Sequence, residues 1–142
     1  MTTAPNMSFD HVGISVRDLA SATQFYADAL GLHEEFRFAV EEDGLSAVVL
    51  RHPDGFGIEL LQRPDSSLGL QADDPHSAVL TQGYGHVCLR VGDIDTAHEK
   101  FLTYGAETVV PPSASPHPSV RYAYMKDPEG NLVELIQRPD EL

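Results

Sequence analysis

The sequence has few basic residues and no long apolar run, and each shortage excludes a class of protein. Nine Lys and Arg stand against 22 Asp and Glu in 142 residues, which gives a net charge of −13. Because phosphate backbones and anionic lipid surfaces repel a protein of the same sign, we expect neither nucleic acid nor a membrane surface as a partner. No stretch of 18 apolar residues occurs, so no membrane-spanning helix is predicted.

Cysteine is also scarce, and this bears on the compartment. Cys88 is the only cysteine, so the chain cannot form an internal disulfide, which is typical of a reducing compartment. Residues 1–8 carry neither the basic segment nor the apolar run of a secretory signal. We therefore predict a cytoplasmic protein. With 42% apolar residues, the chain can bury one compact core.

The chain contains an internal repeat. The segment FDHVGISVRDL, which begins at Phe9, corresponds to YGHVCLRVGDI, which begins at Tyr84. The segment PDGFGIELLQRPD, from Pro53, corresponds to PEGNLVELIQRPD, from Pro128. Each copy carries one histidine and one glutamate at a separation of 48 residues. These residues are His11 and Glu59 in the first copy, and His86 and Glu134 in the second.

Hydrophobic periodicity gives each copy the same predicted elements. In the first copy an alternating strand over residues 10–16 precedes a helix that is capped by Asp18 and stopped by Gly31. The second copy repeats this plan with Asp93 and Gly105, and three strand-like segments follow each helix. Residues 111–118 hold four prolines, and we expect a loop over the rim of a cavity there.

These elements predict an α+β fold made of two tandem βαβββ modules. The first module covers residues 8–63, the linker residues 64–82 and the second module residues 83–138. A module of about 60 residues buries too little surface alone, so we expect the two to form one domain around a shared cavity.

The repeated histidines and glutamates are the candidate metal ligands. The alternation puts each of them on the strand face that points away from the helix. A carboxylate in an apolar strand is costly unless something pairs it, and a divalent cation would do so. Two imidazoles and two carboxylates leave two positions of an octahedral ion open for neighbouring substrate oxygens. The alternative is a structural role for each residue, which the duplicated register disfavours.

Other side chains are weaker candidates. Arg63, Arg90 and Arg121 could hold an anionic group of a substrate, although a solvated arginine is the commoner outcome. Cys88 shares the strand face of His86 and could line the cavity, although a small core thiol is the better interpretation.

At these residues the chain resembles the vicinal oxygen chelate superfamily, over nearly all of residues 8–138. The motifs that carry the resemblance are HVGISV from His11, GHVCLRV from Gly85 and DPEGNLVEL from Asp127. The resemblance implies that His11, Glu59, His86 and Glu134 match the four metal-ligand positions. It also implies one divalent ion per site, chosen among Ni, Co, Mn, Fe and Zn, a small-molecule substrate and a homodimer.

The chemistry expected from such a site is proton transfer next to a carbonyl, as in glyoxalase I (a lyase) or methylmalonyl-CoA epimerase (an isomerase). The ion stabilises an enolate while one catalytic glutamate, Glu59 or Glu134, takes the proton. Glyoxalase I has Arg and Asn four residues after its first two ligands, where this chain has Ser15 and Arg63, so the resemblance does not extend to glutathione. The 27-residue gap from Glu59 to His86 is closer to that of the epimerases, which favours one site built by both modules.

Two other function classes remain open. Tyr124 has the spacing to Glu134 of an iron-dependent extradiol dioxygenase, in which His11, His86 and Glu134 would form the two-His-one-carboxylate triad. The third class is a non-catalytic protein that binds a small molecule, such as an antibiotic, in its cavity. It needs no metal, and the four retained ligand residues argue against it.

Overall fold

The computed structural model describes residues 5–140 of the chain. The chain divides into two compact units, the first ending at Pro64 and the second beginning at Asp65. Within the described range, no helix has the length and apolar character needed to cross a membrane.

The first unit is one βαβββ module. Its elements are β1 (His11–Ser15), α1 (Leu19–Leu30), β2 (His33–Val40), β3 (Leu45–Arg51) and β4 (Gly57–Gln62). The sheet has the order β1-β4-β3-β2, in which β1 is parallel to β4 and the other pairs are antiparallel. Helix α1 packs against β3 and β4 on one face of this sheet.

The second unit repeats this module after a short helix. Its elements are α2 (Pro75–Ala78), β5 (His86–Arg90), α3 (Ile94–Thr103), β6 (Glu107–Ala114), β7 (Arg121–Lys126) and β8 (Leu132–Gln137). The sheet order β5-β8-β7-β6 matches that of the first unit. The prediction of an α+β fold with two βαβββ modules is therefore confirmed.

The predicted helix caps are also confirmed. The Asp18 side chain accepts a hydrogen bond from the backbone N–H of Ser21 at 3.0 Å, and Asp93 does the same for Thr96. Helix α1 ends at Gly31, whose φ of 69° is the left-handed conformation that glycine adopts without steric cost. The buried face of α1 consists of Ala22, Phe25, Tyr26 and Ala29.

The segment predicted to be a linker is packed against the second unit. Helix α2 lies within it, and its N-terminus has a capping box between Asp74 and Ser77. Ala72 and Ala78 are buried together with Leu132, at the start of β8. Helix α2 lies among turn residues and prolines and is too short to show a periodic pattern. The sequence therefore did not predict it.

The prediction of a loop over residues 111–118 is wrong for its first half. Pro111 and Pro112 lie within β6, the edge strand of the second sheet. The pairing of β6 with β7 shifts register between Val110 and Ser113, where the two prolines sit. An edge strand with an irregular ladder tolerates proline because the missing N–H has no pairing role there.

Candidate active site

A polar cluster lies on the sheet face of the second unit that is opposite α3. Strand pairing puts Cys88 of β5 and Tyr124 of β7 on either side of Glu134 of β8. His86, two residues before Cys88, shares this face because alternate strand residues point the same way. We call His86, Cys88, Tyr124 and Glu134 the Glu134 cluster.

Hydrogen bonds converge on one oxygen of this cluster. The Tyr124 hydroxyl donates to Oε2 of Glu134 at 3.0 Å, and Nε2 of His86 lies 3.0 Å from the same oxygen. The rings of His86 and Tyr124 meet edge to face with their centroids 5.2 Å apart. Because the Glu134 side chain is only 16% exposed, these partners satisfy a carboxylate that is largely removed from water.

The surroundings of Glu134 keep its two neighbours protonated. Partial burial, followed by the charge of Glu134, raises the pKa of the Cys88 thiol to about 12, although the residue retains exposure to solvent. Burial and then the same charge also raise the pKa of Tyr124 well above its usual value. At neutral pH both groups therefore carry their protons.

The corresponding residues of the first unit are arranged differently. Glu59 pairs with Gly13 across β4 and β1, so His11 lies on the same face, two residues earlier. His11 Nδ1 lies 2.7 Å from Oδ2 of Asp10, a neighbour that the sequence analysis did not single out. Among residues 5–140, Glu59 forms no hydrogen bond or ion pair. The histidine therefore has a carboxylate partner, and Glu59 has no hydrogen-bonding partner among the described residues.

The donor sets of both units suit a divalent ion of the kind predicted. Imidazole nitrogen and carboxylate oxygen are normal ligands of Mn, Fe, Co, Ni and Zn. In the second unit the two side chains are within reach of one ion, since Nε2 of His86 lies 3.0 Å from Oε2 of Glu134.

Each unit supplies only half of the predicted ligand set. In neither unit do three or more His, Cys, Asp or Glu side chains of residues 5–140 come close enough to hold a metal ion. The four-ligand set stays a prediction.

The arginine candidates are engaged in other contacts. Arg121 forms a two-pronged ion pair with Asp95 of α3, at 2.7 and 3.2 Å. It therefore lies on the helix side of β7, opposite Tyr124, which corrects the expectation that Arg121 could hold an anionic group of a substrate beside the candidate ligands. The reason is the strand alternation, which puts Arg121 on the same side as the buried Ala123.

The two other arginines lie elsewhere on their modules. Arg63 follows β4 and pairs with Asp43 at 3.4 Å. Arg90, on the same strand face as His86, donates to the backbone carbonyl of Pro139 at 3.0 Å. Of the three, Arg90 alone shares the face of the Glu134 cluster.

The sheet face that carries Glu59 also carries exposed apolar side chains. Glu59 pairs with Val49, and Val49 in turn pairs with Phe36 of β2. Phe36 and Phe38 are 51% and 38% exposed, and their rings stack at 6.1 Å. The alternation Phe36, Phe38, Val40 was visible in the sequence, but only the strand register shows that it continues the face of Glu59.

Comparison with known proteins agrees with this architecture. Residues 8–135 match the Glyoxalase/Bleomycin resistance protein/Dioxygenase superfamily, and the chain belongs to this family. It is 29% identical to a lactoylglutathione lyase of Pseudomonas aeruginosa, over 91% of this chain and 81% of that protein. It is 31% identical to the mitochondrial methylmalonyl-CoA epimerase of Mus musculus, over 90% of this chain and 71% of that protein.

A solved structure shows the same fold. The chain superposes on the crystal structure of a glyoxalase family protein from Bacillus cereus with a TM-score of 0.76 and 27% identity. The superposition covers 96% of this chain and 97% of that one. The resemblance that the motifs indicate is therefore confirmed along the whole domain.

Proposed function

We propose that the chain is a metal-dependent enzyme that transfers a proton at the carbon next to a carbonyl group, as a lyase or as an isomerase. The observation that carries this proposal is the repeated placement of one histidine and one glutamate on the same sheet face of each module. The names of the relatives, a lactoylglutathione lyase and an epimerase, support the same reaction class.

The proposed ligands are His11 and Glu59 from one module and His86 and Glu134 from another. A divalent ion held by these residues would supply Lewis-acid chemistry, which polarises a carbonyl oxygen and stabilises negative charge on it. We extend the proposal to a homodimer in the cytoplasm, because the cavity of such a domain leaves apolar edges that pairing buries.

The two glutamates are suited to different roles. Glu134 is held by the Tyr124 hydroxyl and by His86, so its carboxylate keeps one position. Glu59 has no such restraint among the described residues and can turn between the ion and the substrate. We therefore assign proton abstraction to Glu59 and a fixed ligand role to Glu134.

The surroundings of Glu59 indicate the kind of substrate. Phe36, Phe38 and Val40 offer an apolar surface on the same sheet face. Arg63 and Arg121 are occupied by carboxylates, and the net charge of −13 disfavours a strongly anionic molecule. We propose a small 2-oxo hemithioacetal or acyl thioester with an apolar substituent next to its carbonyl.

Hydrogen exchange with solvent tests this function. A suitable hemithioacetal or branched acyl thioester should exchange its α-hydrogen for deuterium in D2O without consuming oxygen. Glu59→Gln should keep the fold and lower the exchange rate by roughly 100-fold or more, the usual scale of a lost general base. Glu99→Gln, an exposed change on α3, is the matched control and should leave the rate unchanged. The absence of exchange from any metal-loaded preparation would overturn the proposal.

Tyr124 favours a second candidate function, an iron-dependent extradiol dioxygenase. Its hydroxyl lies 3.5 Å from Nε2 of His86, beside the residues that would bind Fe(II). Oxygen uptake with a panel of catechols that requires Fe(II) and survives Glu59→Gln would support the dioxygenase. Deuterium incorporation that is lost in the same variant would support proton transfer.

A further inference from the structure

We propose that Asp10 is a positioning residue that fixes the tautomer of His11, so that Nε2 of this ring is presented to the divalent ion. The inference rests on the proposed function for the identity of the ligand and goes beyond it in assigning Asp10. Its basis is the contact of 2.7 Å between Oδ2 of Asp10 and Nδ1 of His11.

The contact determines which nitrogen of His11 carries the proton. An ionised carboxylate only accepts hydrogen bonds, so Nδ1 must donate. The Nε2 lone pair of the neutral ring is then available to a metal. Metal-binding histidines commonly use this arrangement, in which a carboxylate holds the nitrogen that faces away from the ion.

Asp10 is itself held in place by Arg51. One guanidinium nitrogen, Nη1, donates to the backbone carbonyls of Asp10 at 2.8 Å and Gly55 at 3.0 Å. The other, Nη2, lies 3.3 Å from Oδ2 of Asp10 and 2.8 Å from Oε2 of Glu35. The Arg51 side chain is only 18% exposed. Asp10 thus sits between a fixed cation and the histidine.

The space around Arg51 is shaped for this contact. A Cβ atom on Gly57 would lie 2.9 Å from Nη1 of Arg51, so a larger residue there would displace the guanidinium. Neighbouring strand residues normally point to opposite faces. Asp10 reaches the His11 ring because it precedes β1 and because Arg51 holds it there.

The second module lacks all three members of this arrangement. At the repeat distance of 75 residues, Asp10 corresponds to Gly85 and Arg51 to Lys126. Glu35 lies at the register shift between Glu34 and Phe36, and the matching shift in β6 places Val109 there. In the second module Nε2 of His86 lies 3.0 Å from Glu134. The two candidate ligands His11 and His86 therefore have different partners. Within the described residues, the arrangement of Asp10, Arg51 and Glu35 is found only beside His11.

Nuclear magnetic resonance of the imidazole nitrogens tests the assignment without metal. The protein carries 15N-labelled histidine and is measured with chelator, at a pH about two units above the usual histidine pKa of 6.5. Under these conditions His11 should be protonated on Nδ1. The signal is assigned by its loss in His11→Gln. In Asp10→Ala the proton should move largely to Nε2, and Asp10→Asn should restore the Nδ1 form because its carbonyl oxygen still accepts.

A control variant is available in the same module. His52 is also next to an aspartate, but its Nδ1 accepts a hydrogen bond from the backbone N–H of Asp54 at 3.0 Å and lies 3.6 Å from Oδ2 of that residue. Asp54→Ala should leave the His11 signal unchanged. A wild-type His11 protonated on Nε2, or a His11 spectrum that Asp10→Ala does not change, overturns the proposal.

Metal affinity supplies the second readout, by competition between the protein and a chromophoric chelator for Zn2+ or Mn2+. Asp10→Ala should weaken binding by about 10- to 100-fold, the usual effect of removing such a carboxylate. Asp10→Asn should recover most of this loss, and Asp54→Ala should show none. Equal affinity in wild type and Asp10→Ala overturns the positioning role. If wild type binds neither ion, the proposed function fails, and the tautomer measurement still decides the role of Asp10.

Discussion

The side-chain carbonyl of Gln62 accepts a hydrogen bond of 2.6 Å from the backbone N–H of Leu19, the first residue of α1. Gln137 accepts from Ile94, the first residue of α3, in the same way at 2.8 Å. The first N–H groups of a helix have no partner within the helix, and here the last residue of β4 or β8 provides one. In both modules the first residue of the helix is therefore hydrogen-bonded to the last residue of the strand that carries the glutamate.

Gln62→Ala should lower the free energy of unfolding, because it leaves the partly buried N–H of Leu19 without a partner. We expect a loss of about 1 to 2 kcal/mol, measured by urea denaturation. Gln24→Ala, which removes only an exposed hydrogen bond to Asp28 on α1, should cost less than half of that. Equal losses in the two variants would show that the N–H of Leu19 finds another partner.

These helix starts show what periodicity can and cannot reveal. The caps Asp18 and Asp93 were predicted because an N-cap acts on the next three residues of the chain. The hydrogen bonds that Gln62 and Gln137 accept span 43 residues, and their existence depends on strand register.

The same distinction applies to the candidate site. The repeat identified its histidines and glutamates, since their 75-residue spacing is a property of the sequence alone. The contact between Arg51 and Asp10 spans 41 residues and leaves no periodic signal. The side of the sheet on which Arg121 lies depended on the strand boundaries, which a pattern fixes least well.

His86→Ala should abolish or strongly weaken metal binding, because it removes a proposed ligand. His98→Ala is the matched control, since Nε2 of His98 bonds the Thr108 hydroxyl, away from the Glu134 cluster. Metal content after dialysis against Zn2+ or Mn2+, measured by atomic emission, compares the two. Added metal should also raise the melting temperature of wild type and of His98→Ala by mass action. The same metal content in both variants would contradict the assignment of His86.

The ion pair of Asp95 with Arg121 should make a small pH-dependent contribution to stability. The hydrogen bond from Arg121 lowers the pKa of Asp95 below its value in the unfolded chain. The contribution is therefore complete above about pH 4 and is lost as the pH falls through the lowered value. At pH 7, Asp95→Asn should melt slightly lower than wild type, because an exposed ion pair contributes little. Thermal melts from pH 7 to pH 2 should show this difference shrinking, and a constant difference would contradict the electrostatic cause.

Cys88 should react slowly with iodoacetamide, although the residue is exposed. Its pKa of about 12 leaves little thiolate at pH 8, so alkylation should be roughly 100-fold or more slower than that of a free cysteine. Glu134→Gln removes the neighbouring negative charge and should accelerate the reaction. Mass spectrometry of timed samples measures both rates. Rapid labelling of the wild-type thiol would contradict the raised pKa, and an unchanged rate in Glu134→Gln would show that the charge of Glu134 does not act on the thiol.

Assembly is tested by multi-angle light scattering at micromolar concentration. We expect a homodimer of two 15.5-kDa chains, since pairing with twofold symmetry is the commonest closed arrangement. The mass should not change when metal is removed if pairing depends on apolar contacts rather than on shared ligands. A single species with the mass of one chain would refute the dimer and leave the fold untouched.

The unequal anchoring of His11 and His86 has a stereochemical consequence. Two identical half-sites related by a twofold axis would treat the two faces of a planar, deprotonated substrate alike. In this chain one histidine is braced by Asp10, and one glutamate, Glu134, is fixed by Tyr124. In the proposed reaction, a base on Glu59 alone would deliver hydrogen to one face of the substrate, whereas an epimerase also has to deliver it to the other face. A product of single handedness would therefore favour the lyase over the isomerase.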